Sequence, residues 1–313
     1  MCEIWTMGEM IVEIMRDRPD VSFQTPGVLL GPYPSGAPAI FIDTVARLGH
    51  SAGIIGGVGD DGFGKMLLSR LAKDGVNTDY VRVDEQTATG AAFVTYSSDG
   101  SREFIFHLAN TPAVHPKEFD VASITGTKYF HIMGCSLMAQ DAFREKILDA
   151  AKKFMQAGAK ISFDPNIRPE LLHGRKIEEI LDGLLENCSV IMPGAEELKM
   201  LTGESDIQAG IHKLFQYETM ELIALKAGSK GSILYTREEQ VRCPSYHVEQ
   251  VDPTGAGDCF DAALLCGLME GKPLAHVGKM AAAAGALNVM KQGPMEGEIS
   301  VENINKLILS QAG

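Results

Sequence analysis

KYFHIMG (residues 128–134), AKISFD (159–164), CSVIMP (188–193) and ELIALKAG (221–228) are short apolar runs, separated by segments with helical spacing at 139–158, 177–187 and 195–203. Runs this apolar suit strands covered on both faces. Their alternation with helices predicts an α/β fold built on a mostly parallel sheet with helices on either side. Working outward, the pattern predicts a strand near 3–8, a helix near 37–48, a strand near 52–57 and a helix near 63–74. The chain closes on helical sequence from about 257 to 291. Two segments interrupt this rhythm. Residues 14–34 carry Pro and Gly without a helical period, and 88–108 read as two β runs around the turn SSDGS. Together they predict a small sheet outside the main one, a lid inserted in a single domain spanning 1–313.

The composition is that of an ordinary globular protein, with 45% hydrophobic and 22% charged residues in 313. A formal charge of -13 speaks against nucleic acid or an anionic membrane as a partner, because both need a basic face. Six cysteines without a Cys-x-x-Cys pair fit neither zinc nor redox spacing and suggest reduced, buried thiols. Acidic Glu3 and Glu9 break up the N-terminal sequence, which therefore does not read as a signal peptide. A cytoplasmic location is the expectation.

Two glycine-rich stretches compete for a ligand. GGVGDDGFGKM (56–66) contains Gly57-x-Gly59-x-x-Gly62 after a strand and before a helix, with Asp84 further on, which is the pattern of a dinucleotide-binding turn. It also approaches a P-loop, but Met66 stands where a magnesium-binding hydroxyl is needed. VDPTGAGDCFD (251–261) puts Gly255, Ala256 and Gly257 at a helix N-terminus, where unobstructed amides suit a phosphate. Asp258 in that turn could cap the helix or accept a proton from an attacking hydroxyl. A third stretch, FDPNIRPELL (163–172), places Asp164, Asn166 and Arg168 just beyond a strand. Alternation in an extended segment would turn all three to one side, at the carboxyl edge where α/β sheets bind ligands. Solvated loop residues held between Pro165 and Pro169 are the plainer alternative.

Taken together, SGAPAIFIDTVARLGHSAGIIGGVGDDGFGKMLLSRL (35–71) and VDPTGAGDCFDAAL (251–264), with FDPNIR, PGAEEL and LKAGSKGS between them, resemble the ribokinase-like (phosphofructokinase B type) carbohydrate kinases over nearly the whole chain. The resemblance implies a Rossmann-like core with a β lid, and transfer of the ATP γ-phosphate to a sugar hydroxyl. Asp258 would be the general base, and Gly255, Ala256 and Gly257 the anion hole. Glu13 stands where the family has a sugar-binding Asp. Gly36 and Ala37 follow Ser35, which replaces the first glycine of the usual pair, and Ile40 replaces a sugar-binding Asn. Arg168 would reach the sugar or its incoming phosphate, and Arg102, in the lid run DGSREF, would close over the substrate. Lys226, Gly228 and Gly231 match the phosphate-side loop, and Asn288, in the Ala-rich stretch 281–290, is the candidate adenine-side contact. A close-packing role would explain that stretch as well. Mg2+ is expected with the nucleotide, through Glu197, although Gly194 replaces the Asn of the family's Asn-x-x-Glu motif. A monovalent cation such as K+ would sit near Asp252. The partners implied are a small sugar and ATP, with a homodimer through the lid.

At the sugar end, Ile40 removes a donor and an acceptor, which disfavours ribose and nucleosides. GEMIVEIM (8–15) and FDPNIR look more like fructokinases and 2-keto-3-deoxygluconate kinases, and PSGAPAIFIDTVARLG (34–49) looks most like tagatose kinases. The expected acceptor is a ketohexose, tagatose ahead of fructose, with 2-keto-3-deoxygluconate as the alternative. A nicotinamide-dependent oxidoreductase would instead need Gly57, Gly59 and Gly62 to hold a dinucleotide.

Overall fold

The apolar runs become the middle of a nine-stranded sheet in the computed structural model, which describes residues 2–172, 174–181 and 183–311. The strands are β1 (Ile4–Met7), β2 (Ile11–Arg16), β3 (Leu29–Ser35), β4 (Ala52–Gly59), β5 (Asn77–Asp84), β6 (Ala91–Tyr96), β7 (Arg102–His107), β8 (Tyr129–Met133), β9 (Lys160–Asp164), β10 (Cys188–Ile191), β11 (Leu222–Lys226), β12 (Ser232–Tyr235) and β13 (Gln240–Cys243). In the main sheet they lie in the order β13-β12-β11-β10-β9-β8-β1-β4-β5. All pairs are parallel except those made by β12, which joins β11 and β13 in antiparallel fashion. Every residue of β1, β4, β8 and β10 is buried, as strands covered on both faces require. Trp5 and Phe130 pack on Phe154 of the helix Asp141–Gln156, which covers one side.

A second sheet, in the order β3-β2-β6-β7, forms the lid. Its strands come from the two segments that break the helical rhythm, starting three residues earlier than predicted at Ile11. β2 runs parallel to β6, while β3 and β7 pair antiparallel on the outside.

Several boundaries differ from the sequence expectation. The helix expected over 257–291 is two helices, Ala256–Met269 and Leu274–Asn288. Gly271 adopts a left-handed φ of 64° and Pro273 caps the second helix, so the break has a local cause. The helix expected over 177–187 contracts to Ile177–Ile180 and a 3-10 turn at Leu185–Asn187; residue 182 lies outside the described residues. All six cysteines are free and buried. Among the described residues, no helix is long and apolar enough to cross a membrane.

Candidate active site

Parallel strands deliver their last residues to one edge of the sheet, and two of them carry the charges that organise the site. β9 ends on Asp164, and β11, two strands away, ends on Lys226. Lys226 Nζ lies 2.9 Å from Asp164 Oδ2 and 3.3 Å from both oxygens of Asp261. Burial disfavours both ionised partners, but their mutual attraction wins. Asp164 is held below the usual carboxylate range, and the ammonium is held well above its own. Burial and the charge of Asp164 push Asp261 far up, so this acid keeps its proton beside Asp164.

Above this cluster begins the helix Ala256–Met269. Its N-cap, Gly255, has φ 84° and offers no side-chain cap, which leaves the first-turn amides of Ala256, Gly257 and Asp258 for a ligand. A Cβ on Gly255 would stand 2.6 Å from the carbonyl of Pro294, so both conformation and packing require glycine there. Lys226 Nζ would be 3.7 Å from a Cβ on Gly257, which sets the ammonium beside the open amides. Asp258 is 8% exposed, and its Oδ1 accepts from Asn166 Nδ2 at 3.4 Å. Burial, reinforced by the Asp164 charge, raises its pKa to about 7 against the pull of Arg168, Lys226 and Arg102. A carboxylate poised near neutrality can take a proton at working pH.

The cavity over this turn measures about 220 Å³ and lies between the two sheets. The lid contributes Arg102, Phe104 and Phe106 from β7, all on one face by the period of two, with Leu108 just beyond, and Glu13 from β2. Glu13 is 3% exposed. Its Oε2 accepts from Ser35 Oγ at 3.2 Å, while Oε1 has no hydrogen-bond partner. A buried acceptor left open at a cavity wall is a place for a ligand hydroxyl. Burial and the charge of Asp252 raise the Glu13 pKa to about 8. Gly36, with φ 104°, would put a Cβ 2.4 Å from the carbonyl of Glu9, so the chain passes the site only as glycine. Ala37 and Ile40 complete that wall.

Arg102 and Arg168 both set their guanidinium carbons 5.7 Å from the centre of the Phe104 ring, one from the lid and one from the core. Among the described residues, neither makes a salt bridge. Asp164, Asn166 and Arg168 all line the cavity, but not by simple alternation. Asn166 has φ 37° and its amide donates to Asp164 Oδ1 at 3.2 Å, so a turn aims them.

Other residues of these stretches, and others singled out in the sequence, lie elsewhere or do different work. Asp261, fully buried, does not reach the cavity; it holds Lys226 from below. Asn288 is 1% exposed and donates to the carbonyl of Thr254 at 2.7 Å, bracing the anion-hole loop from beneath. Gly228 and Gly231 bound the 3-10 turn after β11, outside the cavity. A Cβ on Gly231 would stand 2.1 Å from the carbonyl of Cys243, a packing reason for glycine. Asp252 Oδ1 accepts from the amide of Thr254 and the hydroxyl of Tyr96, and Oδ2 from the amide of Gly293, so both its oxygens are engaged within the protein.

Glu197 lines the cavity, with Oε2 accepting from the Gly194 amide at 2.7 Å and Oε1 from the Ile167 amide at 2.8 Å. The backbone of Gly194 thus positions this acid. One lone pair on each oxygen remains, and with ionised Asp164 the wall offers hard oxygen donors of the kind Mg2+ takes when phosphates supply the rest. The Gly57-x-Gly59-x-x-Gly62 turn is filled. Asp61 caps its helix by accepting from the amides of Gly64 and Thr89, and a Cβ on Gly57 would stand 2.3 Å from the carbonyl of Pro112. That leaves no open helix end for a pyrophosphate and removes the dinucleotide reading.

Sequence reasoning missed Glu9, Phe104 and Tyr96. Glu9 is buried against Ser136 Oγ at 2.5 Å and carries no motif signal beyond its place in GEM. Phe104 was legible in the alternation of REFIFH (102–107).

Known proteins resemble this chain over most of its length. The profile of the "pfkB family carbohydrate kinase" matches residues 12–300. Fructokinase-1 of Oryza sativa subsp. japonica is 35% identical over 302 residues, 92% of each chain. An E. coli protein provisionally named ribokinase II, solved in complex with ATP and Mg2+, is 39% identical with a TM-score of 0.91, covering 99% of this chain and 100% of that one. Xylella fastidiosa fructokinase with bound ATP is 27% identical with a TM-score of 0.85, over the full length of both.

Proposed function

The chain belongs to the pfkB family of carbohydrate kinases, and from that premise we propose that it transfers the γ-phosphate of ATP to a hydroxyl of a ketohexose of the fructose type, with Asp258 as general base. The observation that carries the assignment of the base is the position of Asp258. It is buried, balanced near neutrality, and shares a helix turn with the open amides of Ala256 and Gly257. The named relatives move fructose ahead of tagatose. Glu13 and Ser35 offer an acceptor and a hydroxyl to the sugar, while Ile40 presents carbon where a further polar contact would be.

The proposed chemistry is a single displacement. The acceptor hydroxyl lies against Asp258, which takes its proton as the oxygen forms a bond to the γ-phosphorus; the bond to the β–γ bridging oxygen breaks and ADP leaves. The amides of Ala256, Gly257 and Asp258 face the charge on the transferring group, and Lys226 adds a positive charge beside them. Mg2+, held at Glu197 and Asp164, would neutralise phosphate oxygens. The lid supplies Arg102, Phe104 and Phe106 as a cover that keeps water from the acceptor position.

ATP consumption across ketohexoses, aldohexoses, ribose and 2-keto-3-deoxygluconate tests the reading. Turnover with fructose or tagatose is the expected result, and its absence with every sugar would remove the assignment.

A further inference from the structure

Tyr96 closes β6, where it pairs with Arg102 across the lid. Its side chain leaves the lid sheet and reaches the loop that feeds the anion hole. There the hydroxyl donates to Asp252 Oδ1 at 2.9 Å and also contacts the hydroxyl of Thr254. Among the described residues, the loop's other side-chain braces come from the core and from Gln292, whose Nε2 lies 3.5 Å from Asp252 Oδ2 and also contacts Met15 of β2. Asp252 accepts from the amides of Thr254 and Gly293, each at 3.0 Å, and the Thr254 carbonyl accepts from Asn288. Asp252 and Thr254 are buried, and Thr254 directly precedes Gly255, whose left-handed turn sets the direction of the Ala256, Gly257 and Asp258 amides.

We propose that Tyr96 is a positioning residue that latches the lid to the anion hole, fixing the aim of the phosphate-binding amides only when the lid lies over the sugar. This rests on the sugar-kinase reading above. A buried carboxylate oxygen and a hydroxyl that share one phenol lose that partner when the lid lifts, and the loop before Gly255 keeps the contacts of Asn288, Gln292 and Gly293. The latch therefore joins substrate enclosure to the geometry that stabilises transfer, and an open site with ATP but no sugar holds its amides less well aimed at the phosphate.

Tyr96→Phe removes the hydroxyl and keeps the ring. The expected result is a kcat lowered about tenfold, with KM for ATP and fructose within about threefold, since a net hydrogen bond is worth about that factor. Amide hydrogen exchange in residues 252–258 should quicken while the thermal midpoint holds. Unchanged kcat together with unchanged exchange in that segment would overturn the latch, as would a fall in thermal midpoint that accounts for all the lost activity. If the wild-type protein phosphorylates no sugar, the kinase reading fails by itself; the exchange comparison still decides whether Tyr96 fixes the loop.

Discussion

Lys226 Nζ and Asp164 Oδ2 stand 2.9 Å apart at the ends of two strands that flank β10, with Asp261 of the helix Ala256–Met269 closing the group. One ammonium thus compensates the buried carboxylate of Asp164 and holds the protonated Asp261 beside it, and the floor of the site depends on it. Asp164 keeps its charge because Lys226 is there, and that charge in turn helps lift the pKa of Asp258.

Lys226→Met should destabilise the fold by on the order of 3 kcal/mol, because it strands the carboxylate of Asp164 in a buried position. Asp261→Asn, which replaces an already protonated acid by a neutral isostere, should cost about 1 kcal/mol or less. Denaturant titration of the two variants gives the comparison, and equal losses would contradict the assigned protonation.

How far this was legible in the sequence depends on the kind of signal. The strands β8 to β11 stood out as apolar runs because both faces of each are covered, whereas in β5 only Val81 is buried and the β12–β13 hairpin is short. Asp258 and its glycines were found because a turn chemistry and a helix start coincide. The partners of Asp261 and Asn288 were not, since Lys226 is 35 residues from the one and Thr254 is 34 from the other. The residue type told that these side chains are polar; only the fold shows that they point down into the scaffold.

The rate should carry the titration of Asp258. A base works only when deprotonated, so kcat/KM is expected to fall as pH drops through about 7. Arg168 helps hold that pKa down. Arg168→Gln removes its positive charge, favours the protonated acid and should shift the falling limb to higher pH. A pH profile of each protein checks both the position and the sign, and a shift to lower pH would contradict the arrangement.

Glu13 gives a stability signal of known direction. Its folded pKa of about 8 lies above the ordinary value of 4.5, so its contribution to stability is whole below pH 4.5 and is lost as pH rises toward 8. Glu13→Gln lacks that loss. Its thermal midpoint relative to wild type should climb by a few degrees between pH 5 and about 8 and then level off, while KM for the sugar rises. Parallel midpoints across that range would show that Glu13 is ionised in the folded protein.

The central claim is that Asp258 takes the proton of the acceptor hydroxyl, and the direct measurement is single-turnover phosphorylation of fructose by wild type and Asp258→Asn with binding followed separately. The account predicts that the variant binds ATP and sugar and loses about 10²–10⁴-fold in the rate of transfer. A variant that binds both and transfers phosphate within tenfold of wild type would contradict it.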